Sequence, residues 1–253
     1  AGILLLISYT APFYLFALGA FFVIFLITRQ KSPPIQKSKD DLKKISLFDN
    51  RVWPFLIVSA SFGICNAALV QTSSFYFQDV IEPNSTNFIA LASVGFMLTA
   101  LGILNGQLLI ADRLQTSPGS LIRLGILFIF FSLIGVAHST SLVHIYISLF
   151  FYGLGGGMLG PGVSASLSLS VGKENQGSAS GFLGMVIPVG HVISPIISMP
   201  LYTINPSYPY LLGSFLMLFC LIFVLSNKRH KWIRKKNYRK DYKAYTEEPS
   251  DLP

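Results

Sequence analysis

Seven stretches of this 253-residue chain are long and apolar enough to cross a lipid bilayer as helices. A membrane helix needs about 20 consecutive, mostly apolar residues. The runs 10–28, 53–77, 88–111, 122–137, 144–171, 177–203 and 208–226 approach or exceed that length, and an apolar stub, 1–7, precedes the first. Barrel strands are shorter, about ten residues of alternating polarity, and these runs do not alternate. Composition agrees: 12% of residues are charged, about half the share of a soluble domain. A soluble enzyme, a nucleic-acid-binding module and a disordered chain are excluded. The expected class is an all-α membrane protein of seven transmembrane helices.

The cationic residues orient those spans. All 19 Lys and Arg fall on alternate connections. Seven lie between Arg29 and Arg51, then come Arg113 with Arg123, then Lys173, and nine follow Ser226. The segments 79–87, 138–144 and 205–210 hold none. Basic loops stay on the cytoplasmic side, so the tail is expected in the cytoplasm and the N-terminal end of the first full span outside. Net charge is +8, and the basic tail is read as a topology signal able to rest on anionic headgroups. No nucleic-acid partner is expected. Trp53 and Trp232 stand where interfacial anchors belong. Cys65 and Cys220 lie inside apolar runs and read as small core residues, with no disulfide framework and no metal spacing. No cofactor is expected. Asn84, with Ser85 and Thr86, forms a glycosylation acceptor pattern in an outer loop. The chain opens on Ala1 within an apolar stretch, without a basic leader, and is read as lacking its front.

The fifth and sixth runs are unusual. Gly156, Gly160, Ser164 and Ser168 recur every fourth residue, and Gly153 with Gly157 forms a second pair. Such stripes allow close helix approach. Pro161 and its flanking glycines can break that helix, and broken helices at membrane depth are tolerated only beside protein or a cavity. The sixth run carries Gly177, Gly181, Gly184, Pro188, Gly190, Pro195 and Pro200, each proline removing a backbone donor. His191 stands near its middle. Mid-span, it reads as a cavity-lining group that holds cargo or a proton, or as a neutral side chain bonded to a backbone carbonyl. Gln71 and Asn66 on the second run and Asn105 on the third are further cavity candidates. Asn66 and Gln71 stand five residues apart, roughly 140° around a helix, so they do not share one narrow face. Phe75 and Tyr152 are expected to add broad aromatic contacts. No Asp, Glu, Lys or Arg is expected mid-span, which argues against an acidic proton relay within the bilayer.

Taken together, the run from Gly153 to Pro161, the loop Glu174 to Gly181, the turn Tyr9-Thr10-Ala11-Pro12-Phe13 and Pro209-Tyr210 resemble the major facilitator superfamily of secondary transporters. The resemblance covers nearly the whole chain. It implies that the seven spans match family helices six to twelve. Residues 1–28 would end an N-terminal half, 29–51 form the basic central inner loop, 52–226 the C-terminal six-helix bundle, and 227–253 a cytoplasmic tail. Asp112 and Arg113 stand where the family's inner-loop charge motif falls, although Leu108 replaces its glycine; the resemblance gives them a gating role. Gly181, Gly190 and Pro195 loosely resemble the Gly/Pro-rich helix of drug:proton antiporters, with Ser194 in place of the expected glycine. The resemblance implies a non-enzymatic carrier of a small-molecule substrate, an efflux antiporter of drugs or amphipathic compounds. A proton would be its coupling ion, and a multi-pass plasma membrane its home. The missing half would be supplied by upstream sequence or a partner.

Two other readings compete. Seven spans ending in a cytoplasmic tail also describe a heptahelical receptor, and Asp112-Arg113-Leu114 ends the third run as such receptors require. The lack of an outer cysteine for their disulfide and the position of Asn205-Pro206 in an outer loop weigh against it. An inactive or partner-dependent half transporter is the other reading.

Overall fold

The computed structural model describes residues 10–29, 45–83, 85–112, 117–171 and 175–226. Those residues form helices joined by short turns, with no strand among them. In chain order they are α1 (Ala11–Arg29), α2 (Trp53–Tyr76), α3 (Phe88–Asp112), α4 (Pro118–Ala137), α5 (Leu142–Ser170), α6 (Gln176–Ile204) and α7 (Tyr208–Ser226). A π-helical turn, Phe77–Ile81, extends α2. Six of these helices are long and apolar enough to cross a membrane, while α1 offers the shorter described stretch Phe13–Arg29.

The helix ends follow local chemistry. Pro118 opens α4 behind Ser117, where a missing N–H costs nothing and proline's fixed φ suits the first turn. This start precedes the one expected from hydropathy at residue 122, because cap chemistry rather than apolarity sets it. Ser141 caps α5 by accepting the His144 N–H, as an N-cap hydroxyl should. The prolines do not end the helices that hold them. α5 runs unbroken through Pro161, and α6 through Pro188, Pro195 and Pro200. Breaking either helix would strip several backbone groups of partners, each costing several kcal/mol in hydrocarbon. Continuing costs only the one bond each proline lacks.

α5 is the hub, with α3 packed along one side and α4 along another; α2 pairs with α6, and α7 bridges α4 and α2. Glycine permits the closest approaches. A β-carbon on Gly153 would collide with the Thr99 carbonyl of α3, and one on Gly157 with the Ile103 carbonyl. Gly102 and Gly106 answer from α3 against Phe150 and Leu154. Gly125 of α4 and Gly155 of α5 meet face to face, a β-carbon on either lying within 2.8 Å of the other's carbonyl oxygen. The predicted 156/160/164/168 stripe is not a packing seam. Gly160, Pro161 and Ser164 are exposed, and a β-carbon on Gly160 would meet nothing within 4 Å. Of the stripe's two glycines only Gly156 has a neighbour within 4 Å of an added β-carbon, Phe62. The second pair, Gly153 with Gly157, forms the seam instead.

At the end bearing residues 82–83, 85–87, 138–141 and 205–207, here the short-loop end, hydroxyls tie helices together. Tyr76 donates to the carbonyls of Ala137 and Ser139, both at 3.3 Å. Ser207 reaches the same Ala137 carbonyl at 2.6 Å, and Tyr146 of α5 donates to Leu91 at 3.1 Å. Tyr210 stands edge-on to Tyr76, centroids 5.1 Å apart, and hydrogen bonds with Thr72 at 2.9 Å. At the opposite, basic end, Ser170 donates to the Arg51 carbonyl at 3.0 Å. Cys65 and Cys220 are buried free thiols. Every described side chain of α1 from Phe13 to Arg29 is exposed.

Candidate functional site: an uncovered helix face

α6 is the least covered of the six long helices. Only 17% of its apolar window is buried, against 61% for the α2 span. Its buried positions, Ala179, Gly190, Ser194 and Ser198, include the contact with α2: a β-carbon on Gly190 would lie 2.7 Å from the backbone of Gly63 and Ile64. A second face carries Gly177, Gly181, Gly184, Pro188, His191 and Pro195. The spacing alternates four and three residues, so all six lie on one side of the helix. The first five are exposed, and β-carbons on the three glycines would meet nothing within 4 Å. α3 is similarly bare, 22% buried over its window, and exposes Leu104, Asn105 and Leu108.

The predicted cavity residues sit differently around this face. His191 is exposed, and its Nδ1 lies 3.1 Å from the Ile187 carbonyl one turn back. With the Nδ1 proton on that carbonyl, Nε2 presents a lone pair to the open side. Asn105 is exposed, but its Nδ2 is spent on the Leu101 carbonyl at 2.8 Å, which leaves its carbonyl oxygen outward. Asn66 is half-buried on α2, one turn beyond Gly63. Gln71 is half-buried, and its Oε1 is enclosed without a hydrogen-bond partner. Among the described residues no hydrogen bond joins these four side chains to one another. They are dispersed polar points rather than a preassembled cluster.

Glycine and aromatic contacts set a common depth. Gly156 of α5 abuts Phe62 of α2, a β-carbon there lying 3.3 Å from the ring. Phe62 stacks on Tyr152, centroids 6.3 Å apart, and neighbouring Gly63 meets Ile187 and Gly190 of α6. α5, α2 and α6 are thus held in a row, with His191 just beyond the last contact. Tyr152 is not an open-face contact as expected: it is 2% exposed and buried behind Phe62. Phe75 is exposed beside Tyr202, centroids 6.2 Å apart. Pro188 and Pro195 leave the carbonyls of Gly184 and His191 without their helical N–H donor. The bare face therefore carries backbone acceptors as well as an imidazole.

Sequence reasoning missed several polar groups. The hydroxyls of Tyr152, Ser194 and Ser198 are buried without partners, as Gln71 Oε1 is. Asp79, expected in a loop, lies in the π-helical turn within the α2 span. It accepts a hydrogen bond from the Tyr202 hydroxyl of α6 at 2.9 Å. The persistence of Phe77, Val80 and Ile81 as apolar residues was the available signal. Gly181 and Pro188 lie on the exposed face, and Pro195 at its half-buried end. Arg113 lies outside the described residues, as does the Asp112 side chain. Among the described residues no group of three His, Cys, Asp or Glu is placed to hold a metal.

A bundle of apolar helices with one uncovered, glycine- and proline-rich face is a multi-pass membrane protein. The family model of the Major Facilitator Superfamily matches residues 1–195 and, again, 109–248; the chain belongs to that superfamily. This sets the receptor reading aside. Two solved structures resemble the fold. One is described as the POT family transporter PepTSo, determined in meso (TM-score 0.62, 18% identity, 71% of this chain and 37% of that one). The other is a POT family transporter in complex with 5-aminolevulinic acid (TM-score 0.61, 20% identity, 77% and 43%). The chain thus matches less than half the length of either. No curated protein matches it.

Proposed function

We propose that this chain forms one wall of an alternating-access carrier that exports drug-like or amphipathic small molecules in exchange for protons across the plasma membrane. The observation that carries this reading is the bare α6 face, where His191 stands among Gly184, Pro188 and Pro195. In such carriers two helical halves rock about a cargo site near the bilayer midplane. Here residues 52–226 supply one half. Residues 1–28 belong to the other, 29–51 form the connecting cytoplasmic loop, and 227–253 a cytoplasmic tail. The remaining wall comes from a second six-helix half, encoded upstream or on a separate chain.

The mechanism follows from the face. Cargo binding shifts the equilibrium between inward- and outward-open states only if cargo contacts differ between them. The Gly63–Gly190 contact gives α6 a pivot on α2, and the missing bonds at Pro188 and Pro195 let it bend there. His191 Nε2 takes a proton or a cargo donor, and Gln71 Oε1 accepts from cargo once the seam opens. The apolar rims of α3 and α6 supply the broad contacts an amphipathic molecule needs.

In the full-length protein, His191→Ala with Gln71→Ala is expected to abolish proton-driven export of an amphipathic cation such as ethidium. Normal export by that double variant overturns the assignment. Residues 1–253 alone in vesicles should not move cargo against a gradient, because one wall does not close a cavity; uphill accumulation would refute the two-wall reading. For orientation, impermeant labelling of intact cells should reach a cysteine at position 207 but one at 39 only after lysis.

A further inference from the structure

Between α4 and α5 runs an open-sided slot of about 390 Å³, lined by Phe128, Phe131, Ser132, Gly135, His144, Ile147, Ser148 and Phe151. It is separate from the α6 face. The lining repeats on both helices at heptad-like spacing, 128/131/132/135 facing 144/147/148/151. Small residues form the floor: Ser132 is 3% and Ser148 6% exposed, and a β-carbon on Gly135 would collide with Ser148 Oγ. The aromatic walls are Phe131, 64% exposed, and Phe128 stacked parallel on Phe151, centroids 5.8 Å apart and planes 2° apart.

The slot carries an imidazole at one end, two floor hydroxyls at mid-depth and only aromatic rings at the other end. His144 lies at the short-loop end, two residues into α5, with Nε2 3.9 Å from a β-carbon on Gly135. Phe128 and Phe151 stand nine residues inward from the helix ends, about 14 Å at ~1.5 Å per residue. That depth is about one leaflet of a ~30 Å hydrocarbon core. The slot therefore has the polarity profile of a single lipid leaflet. Its lining carries no Lys or Arg, so a phosphodiester headgroup would find no counter-charge. One neutral hydroxyl, by contrast, is satisfied by an imidazole. The Ser132 and Ser148 protons are already committed to Phe128 and His144 carbonyls, at 2.6 and 2.9 Å, so their oxygens can only accept. A fixed slot also favours a rigid ligand, which loses less freedom on binding than an acyl chain.

We propose that this slot is a binding site for a neutral, rigid, hydroxyl-headed ring lipid of the sterol class, its hydroxyl at His144 and its rings against Phe128, Phe131 and Phe151. The test uses this chain in phosphatidylcholine nanodiscs with a photoactivatable sterol, cross-links being mapped by mass spectrometry. Labels should concentrate within 128–151 and be displaced by excess unlabelled sterol. His144→Leu should reduce that labelling about five-fold, the loss expected of one hydrogen bond near 1 kcal/mol, and His144→Gln should restore it. His144 is exposed, so neither change threatens the fold, which melting temperature checks. Labels spread over all helices, equal labelling of 128–151 by a photoactivatable fatty acid, or an unchanged His144→Leu variant would each overturn the proposal.

Discussion

Tyr202 of α6 donates a hydrogen bond to Asp79 Oδ2 across 2.9 Å, tying α6 to the π-helical turn that ends α2. The same ring packs on Phe75, so one side chain closes the α2–α6 seam at the short-loop end while Gly63 and Gly190 close it further in. Among the side chains described in the six spans Asp79 is the one carboxylate, and it sits at a helix end rather than in the middle.

Tyr202→Phe removes the hydroxyl and keeps the ring. A net hydrogen bond is worth about 1 kcal/mol, so a modest fall in thermal stability is expected. Tyr202→Leu also loses the aromatic contact and should fall further. Asp79→Asn keeps an acceptor and should lie close to the parent. Melting in detergent, monitored by circular dichroism, orders the three, and a different order refutes the latch.

The α6 glycines should separate stability from transport. Gly190→Leu places a side chain where a β-carbon already lies 2.7 Å from Gly63. Overpacking costs typically ~1–3 kcal/mol, and this variant should melt early. Gly181→Ala and Gly184→Ala face open space and should gain up to ~1 kcal/mol from helix propensity. On the proposed two-wall reading those same alanines should slow transport, because the face they occupy would meet the opposite wall. Stability and transport changing together at all three positions would contradict this division.

On α5 the contrast lies within one helix. Gly153→Ala collides with the Thr99 carbonyl and Gly157→Ala with that of Ile103, and either should lower expression and melting temperature sharply. Gly160→Ala, one turn away, should be tolerated, since nothing lies within 4 Å. Fluorescence-detected size-exclusion profiles of the three variants decide it.

Before α2, Arg51 holds Asp49 through a side-chain bond at 2.9 Å and a backbone N–H bond, also 2.9 Å. These bonds, the side-chain one foremost, depress the Asp49 carboxyl below its ordinary value, which is about 3.9. A depressed acid stabilises the folded state fully above the ordinary value, and that contribution fades as pH falls through the folded one. The turn should therefore be insensitive between pH 7 and 5 and loosen below about pH 4. Trp53, whose Nε1 donates to Asn50 at 3.3 Å, reports it by fluorescence in a Trp232→Phe background. Arg51→Gln should raise the transition, and Asp49→Asn should remove it.

The membrane class was legible because lipid imposes a length requirement that any sequence must display. α2 to α7 therefore fall close to the hydropathy runs. Helix edges set by caps, such as Ser117–Pro118, and the π-helical extension carrying Asp79 were less legible, because hydropathy does not register hydrogen-bond geometry. Continuity through Pro161 and Pro195 escapes the sequence for a related reason: local breakers are judged against water, whereas in hydrocarbon no competing acceptor rewards a break.

By itself the sequence determined that the chain is a bundle of apolar helices, which loops carry its cations, and which two helices are rich in glycine and proline. It did not determine which glycines pack. Glycines surround α5 on several faces at once, and only neighbouring helices decide whether Gly153 or Gly160 is enclosed. The same holds for the polar candidates. Exposure of His191, enclosure of Gln71 Oε1 and burial of Tyr152 depend on rotations of α6, α2 and α5 about their axes. Those rotations are fixed by side chains distant in sequence, which one-dimensional periodicity cannot rank.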